Sequence, residues 1–202
     1  MNLTGSADIL TQNLRTLCPS ASVAVLNSRR IKCQLHEYQA LALFKLASDY
    51  NIASASILEI GTLAGYSASI MAQAAPNATI ITLNPADWEV EEARGNLEEY
   101  RNVTVLESYS WDYLEKYNGH QFDMIFVDGD HNRIARDLPW FKHLRVGGLM
   151  LFHDYCETKS GIVFARLNET ANKYDHPFDV YLMDSSGNGM VGFYRRNGEA
   201  WD

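Results

Sequence analysis

This chain of 202 residues has few of the features that mark several common protein classes. It contains three cysteines, Cys18, Cys33 and Cys156, and none of them forms a C-x-x-C pair. That spacing argues against a disulfide framework or a cysteine zinc site and is typical of reduced thiols in a cytoplasmic protein. No apolar run reaches the roughly 18 residues of a transmembrane helix, and no secretory signal is visible. We therefore expect a cytoplasmic protein with no membrane partner.

Positive charge is also scarce, because 17 lysines and arginines face 25 aspartates and glutamates, for a net charge of −8. The basic doublets Arg29-Arg30 and Arg195-Arg196 do not make a stripe that would neutralise a phosphate backbone, so no nucleic-acid partner is expected. Hydrophobic residues make up 47% of the chain, an ordinary globular share. The length predicts a single domain over residues 1–202.

Apolar runs and helical periodicities alternate along most of the chain. Strands are predicted at 57–60, 79–83, 103–106, 122–127 and 149–152, and helices at 8–17, 36–50, 66–75, 110–117, 133–144 and 160–174, with another helix after Asn84-Pro85. Pro139 is expected to kink the 133–144 helix or to mark a late start. Residues 178–183 and 190–195 predict a hairpin around a glycine-rich turn. The alternation of strands and helices predicts a parallel sheet. The hairpin adds an antiparallel pair of strands at the end of the chain. Residues 21–35 have no clear period and fit either a loop or a short edge strand.

The stretch from Ile57 to Ser67 predicts a strand, a short loop between Gly61 and Gly65, and the start of a helix. This arrangement brings backbone N–H groups up to a ligand at the edge of a parallel sheet. The spacing Glu-x-Gly-x-x-x-Gly is not the dinucleotide fingerprint, because position 63 is leucine, and this counts against a nicotinamide enzyme. Glu59 lies inside the strand, where a carboxylate is costly unless it has a partner.

Chemically active side chains are concentrated where the fourth and fifth predicted strands end. Asp128, Asp130 and His131 follow the fourth strand, and Asp154 follows the fifth. Ligands bind beyond the carboxyl ends of such strands, and adjacent strands would bring Asp128 and Asp154 close together. Two carboxylates so placed repel each other unless a cation, a shared proton or a hydrogen-bond donor lies between them. Oxygen ligands favour a hard cation such as Mg²⁺.

The glycine loop, Asp-Gly-Asp-His at 128–131 and His-Asp-Tyr at 153–155 together resemble one enzyme family. They are similar to class I S-adenosylmethionine-dependent methyltransferases, notably the metal-dependent small-molecule O-methyltransferases of the catechol type and the sugar branch. The resemblance implies an α/β, Rossmann-like methyltransferase fold: a seven-stranded, mostly parallel sheet with an antiparallel last strand and helices on both faces. An N-terminal helical cap over residues 1–50 and a Rossmann-like core over 51–196 are expected, and a homodimer is common in this family.

The resemblance also implies which residues contact S-adenosylmethionine. The expected contacts are Glu59, Gly61, Thr62, Gly65, Tyr66, Ser67, Asn84, Ser110, Trp111 and Asp128. Asn84 departs from the family, which usually carries an acidic residue at this position to bind both ribose hydroxyls. An asparagine offers a donor and an acceptor but no charge.

The same resemblance assigns the chemistry to the strand ends. Asp128 and Asp154 match two metal ligands for Mg²⁺ or a similar divalent cation, and Tyr155 replaces an asparagine, which leaves the third ligand open. His131 matches the base of the sugar branch, and Asp130 is the alternative base. His153 beside Asp154 either orients that ligand or is a packed residue at the end of its strand, and the second interpretation is preferred.

The implied activity is metal-assisted transfer of a methyl group to a hydroxyl of a small polyhydroxylated acceptor, such as a sugar or a catechol. A bound metal would lower the pKa of that hydroxyl, and a histidine with an unperturbed pKa near ~6.5 suits removal of the proton. Two alternatives stay open: a non-catalytic binding module that keeps the fold, and a metal-free methyltransferase in which His131 acts alone. Residues 18–35 and 155–161 are expected to form lids over the acceptor pocket.

Overall fold

A computed structural model describes residues 1–199 and 201 of the chain. The strands are β1 (Asn2–Gly5), β2 (Ser56–Ile60), β3 (Thr79–Asn84), β4 (Val103–Glu107), β5 (Phe122–Val127), β6 (Leu144–Phe152), β7 (Val180–Asp184) and β8 (Gly189–Tyr194). The α-helices are α1 (Ala7–Leu17), α2 (Pro19–Ser28), α3 (Glu37–Ser48), α4 (Tyr66–Ala74), α5 (Asp87–Asn96), α6 (Ser110–Lys116) and α7 (Gly161–Lys173). Two 3-10 helices, His131–Arg136 and Leu138–His143, lie between β5 and β6.

Within the described residues the strands form one eight-stranded sheet in the order β1-β7-β8-β6-β5-β2-β3-β4. Its neighbouring strands are parallel except around β8, which runs antiparallel to both β6 and β7. The predicted Rossmann-like sheet with an antiparallel last strand is confirmed. The predicted count of seven strands is too low, because Asn2–Gly5 pairs with β7 at the edge. Only four residues long, this strand is too short to show a clear period.

The carboxyl ends of the central parallel strands meet at one edge of the sheet. Ile60 at the end of β2 lies beside Leu83 of β3 on one side and Val127 of β5 on the other. Val127 in turn lies beside Phe152 of β6. The chain passes from β2 outward to β3 and β4, and β5 then starts on the opposite side of β2. The crevice above β2 and β5 is therefore the topological switch point at which such sheets bind ligands.

Three helices precede the central strands. Leu10 and Leu14 on one face of α1 are buried, and α3 contributes most of its residues to the core. The segment at 21–35 that lacked a period contains most of α2, whose buried positions are the small residues Ala21, Ala24 and Ser28. Small side chains give a weak hydrophobic pattern, so this helix had no clear signal in the sequence.

The α-helix predicted over 133–144 is wrong, although the interruption expected at Pro139 is present. The chain there forms the two short 3-10 helices, with Pro139 in the first turn of the second. Proline lacks the backbone N–H that would bond back to the preceding turn, so an α-helix cannot continue through this position without losing a hydrogen bond.

In the described part of the chain no helix has both the length and the apolar character needed to cross a bilayer. The three cysteines all carry free thiols, as their spacing predicted.

Candidate functional site

A cavity of about 290 Å³ opens at the switch point. That volume is close to the lower limit, roughly 300 Å³, of small-molecule sites. The cavity is lined by the glycine loop, the end of β3, the first turn of α5, the start of α6, the residues after β5, and residues 32–35 of the N-terminal segment. Ten of the residues predicted from the sequence line it: Gly61, Thr62, Tyr66, Ser67, Asn84, Ser110, Trp111, Asp128, Asp130 and His131.

Both glycines of the loop are required by the backbone. Gly61 has φ +101°, and a Cβ added there would lie 2.1 Å from the carbonyl oxygen of Asp128. Gly65, with φ +92°, precedes α4, and an added Cβ would lie 2.8 Å from the side chain of Leu97. Gly61 lines the cavity, whereas Gly65 supports the loop from outside the lining. Only glycine avoids both the strained φ and the clash.

Glu59 lies beneath the loop and does not line the cavity. Its side chain is fully buried, and Oγ1 of Thr82 donates to its Oε2 at 2.5 Å. The same Oγ1 of Thr82 lies 2.5 Å from Oγ1 of Thr62 in the loop. Burial raises the pKa of Glu59 to about 8, although hydrogen bonds from Ser67 and Thr82 act to lower it. At neutral pH Glu59 therefore supports the loop mainly as a neutral hydrogen-bonding group.

Asn84 connects the glycine loop to helix α5. Its Oδ1 accepts the backbone N–H of Leu63 at 3.3 Å, and its Nδ2 donates to Oε2 of Glu89 at 2.7 Å. Glu89 lies in the first turn of α5 and lines the cavity. The sequence reasoning missed Glu89; the available signal was an acidic residue in the first turn after Asn84-Pro85.

The wall opposite the loop combines aromatic and charged side chains. The ring of Trp111 stacks on Tyr109 at 4.6 Å between centroids, and the guanidinium of Arg136 lies 4.8 Å from the Trp111 ring centroid. The hydroxyl of Ser110 donates to the carboxylate of Asp137, a cavity residue that the sequence reasoning missed. Burial raises the pKa of Asp137 to about 6, against the hydrogen bond from Ser110. This wall suits a flat, polar-edged ring.

Four side chains meet where β5 and β6 end. Nε2 of His131 lies 2.8 Å from Oδ2 of Asp154. Nδ1 of His153 lies 2.9 Å from Oδ1 of Asp128 and 3.1 Å from Oδ2 of Asp154. One ligand atom from each of Asp128, His131 and Asp154 lies within 4.8 Å of the other two. The structure thus brings together the two predicted metal ligands and the predicted base, although Asp154 itself is outside the cavity lining.

His153 has a larger part in this cluster than a packed strand-end residue. Its buried Nε2 lies 3.1 Å from Oε1 of Gln39 on α3. Burial acts to lower its pKa, but the carboxylates of Asp128 and Asp154 outweigh this effect and raise the pKa to about 10. The two carboxylates therefore favour the imidazolium form of His153, and a positive charge at this position reduces their repulsion.

The pKa values of the other members follow from the same contacts. Burial acts to raise the pKa of Asp154, yet hydrogen bonds from His131 and His153 hold it well below its usual range. The hydrogen bond to Asp154 raises the pKa of His131, against the effect of burial. His131 and Asp154 therefore behave as a coupled pair in which the carboxylate stabilises the imidazolium.

Asp130, the alternative base, is exposed and engaged elsewhere. Its carboxylate accepts the backbone N–H of Asn132 at 3.0 Å and caps the first 3-10 helix. It also lies 3.4 Å from Nε of Arg133. Asp130 lines the cavity, but its contacts are those of a helix cap.

Residues 58–155 match the family model of a methyltransferase domain. The match starts in β2 and includes the glycine loop, Asn84, Asp128 and Asp154. Residues 58–155, just under half of the chain, therefore resemble a methyltransferase domain. The match agrees with the class I S-adenosylmethionine-dependent methyltransferase family that the sequence predicted.

The methyltransferase domain is similar to catechol O-methyltransferase of Mycobacterium tuberculosis, with 31% identity over 111 residues. The alignment covers 53% of this chain and 50% of that relative, so the chain spans about half of the relative's length.

Solved structures share the fold over most of the chain. An O-methyltransferase from Bacillus cereus in complex with S-adenosylhomocysteine has a TM-score of 0.68 and 20% identity, with 92% of this chain and 90% of that one covered. TomG from Streptomyces achromogenes, an O-methyltransferase involved in tomaymycin synthesis and solved with S-adenosylmethionine, has a TM-score of 0.67 and 22% identity, with 88% of each chain covered. At these identities the likeness shows the fold alone.

Proposed function

We propose that this protein is an S-adenosylmethionine-dependent O-methyltransferase that acts on a small polyhydroxylated acceptor, such as a sugar or a catechol. The observation that carries the proposal is the His131–Asp154 pair, 2.8 Å apart, beside a cavity bounded by the glycine loop. When bound, S-adenosylmethionine supplies a methyl group on a positively charged sulfur. The chain must then bind the acceptor, orient it and remove one hydroxyl proton.

The cavity residues fit the cofactor. The backbone at Gly61 comes close to the switch point, the start of α6 supplies aromatic side chains, and Glu89, held by Asn84, supplies a carboxylate. Of the ten cofactor contacts that we predicted, eight line the cavity, whereas Glu59 and Gly65 support the loop. Asp128, between the loop and the acidic cluster, marks the boundary of the cofactor and acceptor sites.

His131 acts as the general base in this proposal. An imidazole oriented by a carboxylate is a recurring arrangement for proton removal, because the carboxylate fixes the ring and stabilises the imidazolium that forms. Asp154 has that position relative to His131. Such a base contributes about 10²–10⁴-fold to the rate, and holding the acceptor oxygen next to the methyl donor supplies much of the remainder.

The cluster also fits a divalent cation. Asp128 and Asp154 would hold it together with water, which leaves His131 as the base; Tyr155 is directed elsewhere, because its hydroxyl donates to Asn168 at 3.2 Å. Carboxylate oxygens suit hard ions such as Mg²⁺ and Mn²⁺. An ion held there would act as a Lewis acid on the acceptor oxygen.

A metal-free methyltransferase is the second candidate, and a specific contact favours it. His153 lies 2.9 Å from Asp128 and 3.1 Å from Asp154, so the charge of an internal imidazolium already reduces the repulsion that a cation would otherwise relieve. In this version His131 removes the proton without a metal.

The test is a methyl-transfer assay with panels of catechols and sugars, read by mass spectrometry. We expect Asp154→Asn to lower turnover at least about 100-fold while the affinity for S-adenosylhomocysteine changes less than about threefold. Asp175→Asn, the same change at an exposed position outside the cavity lining and both expected lids, is the matched control and should keep full activity. If no catechol and no sugar in the two panels is methylated, the proposed acceptor class is contradicted. Loss of activity in EDTA supports the metal, and full activity in EDTA supports the metal-free version.

We also propose a cytoplasmic homodimer that binds its small-molecule acceptor without nucleic acid or membrane. The net charge of −8 supports the absence of nucleic acid. Four apolar side chains more than half exposed on α1 and α2 support the dimer: Ile9, Leu17, Val23 and Leu26. Light scattering of the purified protein measures its mass directly, and a monomer at micromolar concentration would contradict the dimer.

A further inference from the structure

Asn84 stands at the end of β3 with both ends of its amide already engaged. Its Oδ1 accepts the N–H of Leu63 at 3.3 Å, and its Nδ2 donates to Glu89 at 2.7 Å. The side chain is 5% exposed. A neutral amide fixed in this way orients its neighbours but has little capacity left for a ligand.

Glu89 carries the negative charge that Asn84 lacks. The contact with Asn84 occupies one lone pair of Oε2, so the carboxylate keeps acceptor capacity on both oxygens. Its side chain is partly buried and lines the same cavity as the glycine loop. It lies in the first turn of α5, where the helix dipole attracts negative charge.

We propose that Glu89, oriented by Asn84, is the carboxylate that binds the ribose hydroxyls of S-adenosylmethionine. This inference rests on the proposed function, which places the cofactor in this cavity. A vicinal diol presents two O–H donors, and a carboxylate accepts both in charge-assisted hydrogen bonds. Glu89 lies five positions after Asn84, the strand-end position at which the resembled family usually carries its acidic residue.

The other acidic residues of α5 do not fit this role. Asp87 is exposed and accepts the N–H of Trp88 at 2.7 Å, and Glu91 and Glu92 are exposed. Among the acidic residues of α5, all of which are described, only Glu89 lines the cavity. The remaining acidic residues of the lining lie after β5.

Calorimetric titration with S-adenosylhomocysteine tests the assignment. We expect Glu89→Gln to weaken binding about 10- to 100-fold, because the two ribose hydroxyls lose their charged acceptor. The shape of the side chain is almost unchanged by this substitution. Glu92→Gln removes the same charge from the same helix at an exposed position and should bind within about twofold of the wild type. A thermal melt of each variant checks that both remain folded.

A second ligand separates a ribose contact from a general effect on the cavity. The probe is the analogue of S-adenosylhomocysteine that lacks both ribose hydroxyls. We expect Glu89→Gln to change its affinity less than about threefold, because the variant removes a contact that this analogue cannot make.

The outcomes separate this inference from the proposed function. If wild type binds S-adenosylhomocysteine and Glu89→Gln binds it equally well, the assignment of Glu89 is overturned and the function is not. If Glu89→Gln weakens both ligands equally, the ribose assignment is overturned, because the effect does not depend on the hydroxyls. If wild type does not bind S-adenosylhomocysteine, both proposals fail.

Discussion

On the β2–β3 side of the cavity, the glycine loop is held by close backbone contacts and by the buried hydrogen bonds of Glu59, Thr82 and Thr62. On the β5–β6 side, the site consists of charged side chains that face one another, centred on Asp154. The first side has almost no freedom to change shape, whereas the second side depends on charge and proton position.

This contrast assigns different consequences to substitutions on the two sides. A substitution on the loop side should lower the free energy of unfolding and the affinity for the cofactor, because it disturbs close packing. A change in the charged side acts through turnover, because the fold already supports those side chains from outside, as Gln39 does for His153. Four predictions test the contrast.

The largest expected effect is that of Gly61→Ala. The added Cβ would lie 2.1 Å from the carbonyl oxygen of Asp128 at a φ of +101°, so β2 and β5 must separate. We expect urea titration to show a loss of about 3 kcal/mol or more in the free energy of unfolding, together with loss of cofactor binding. Gly95→Ala, inside α5 with nothing within 4 Å, is the control and should be neutral or stabilising. A Gly61→Ala protein as stable as the wild type would contradict the backbone account of this side.

On the charged side, His131→Gln should lower turnover by about 10²–10⁴-fold, the usual contribution of a general base. Because the imidazole is partly exposed and contacts a carboxylate rather than the core, the melting temperature should change little. Binding of S-adenosylhomocysteine should be unchanged in calorimetry. His120→Gln, an exposed histidine, serves as the control. Parallel loss of cofactor affinity in His131→Gln would show that the two sides are not separable.

The contribution of Asp137 to the free energy of unfolding is expected to depend on pH. Burial raises its pKa from 3.8 to about 6, so the folded state binds this proton more tightly than the unfolded chain. The resulting stability is complete below about pH 4 and is lost as the pH rises through about 6. Asp137→Asn keeps an acceptor for Ser110. Above about pH 6 the variant should be more stable than the wild type by about 2 kcal/mol, and below about pH 4 it should show no gain.

Urea titrations at the two ends of that window measure this difference. Asp112→Asn, at an exposed position on α6, is the control and should follow the wild type at both pH values. A gain of equal size at both ends would mean that the carboxyl group of Asp137 does not titrate there.

The smallest effect is expected for Asp130→Ala. The side chain caps a 3-10 helix through the N–H of Asn132, so its loss should cost about 0.5–1 kcal/mol of unfolding free energy. Turnover should stay within about threefold of the wild type. If turnover instead falls as far as in His131→Gln, the assignment of Asp130 to helix capping alone is wrong, and Asp130 becomes the candidate base.

Local patterns in the sequence account for most of the fold. The buried run of β5 and the alternation of strands with amphipathic helices predicted the sheet and its antiparallel last strand. The boundary errors are short: β3 extends to Asn84, and β6 begins at Leu144 rather than near Leu149. The α-helix predicted for 133–144 is wrong because the spacing of its apolar residues is also compatible with two short 3-10 helices, the second of which contains Pro139.

The site was predicted less completely. The strand ends placed Asp128 and Asp154 together, because adjacent parallel strands end at one edge whatever the intervening loops do. The sequence offered orientation of Asp154 by His153 only as the less favoured of two interpretations, and it did not single out Glu89. Each role depends on a contact made across the fold, with Gln39 of α3 in one case and Asn84 of β3 in the other.

The sequence by itself therefore determined the methyltransferase-type sheet, the glycine loop and the set of charged residues at the strand ends. The strands and their common edge follow from short-range periodicity and from the rule that parallel strands end together, and the methyltransferase type follows from the resemblance of the motifs to that family. Only the tertiary structure decided that β1 adds an eighth strand, that residues 32–35 line the cavity and that His153 lies between two carboxylates. Those features depend on which distant surfaces pack together, and that choice is made by the core as a whole rather than by any local pattern.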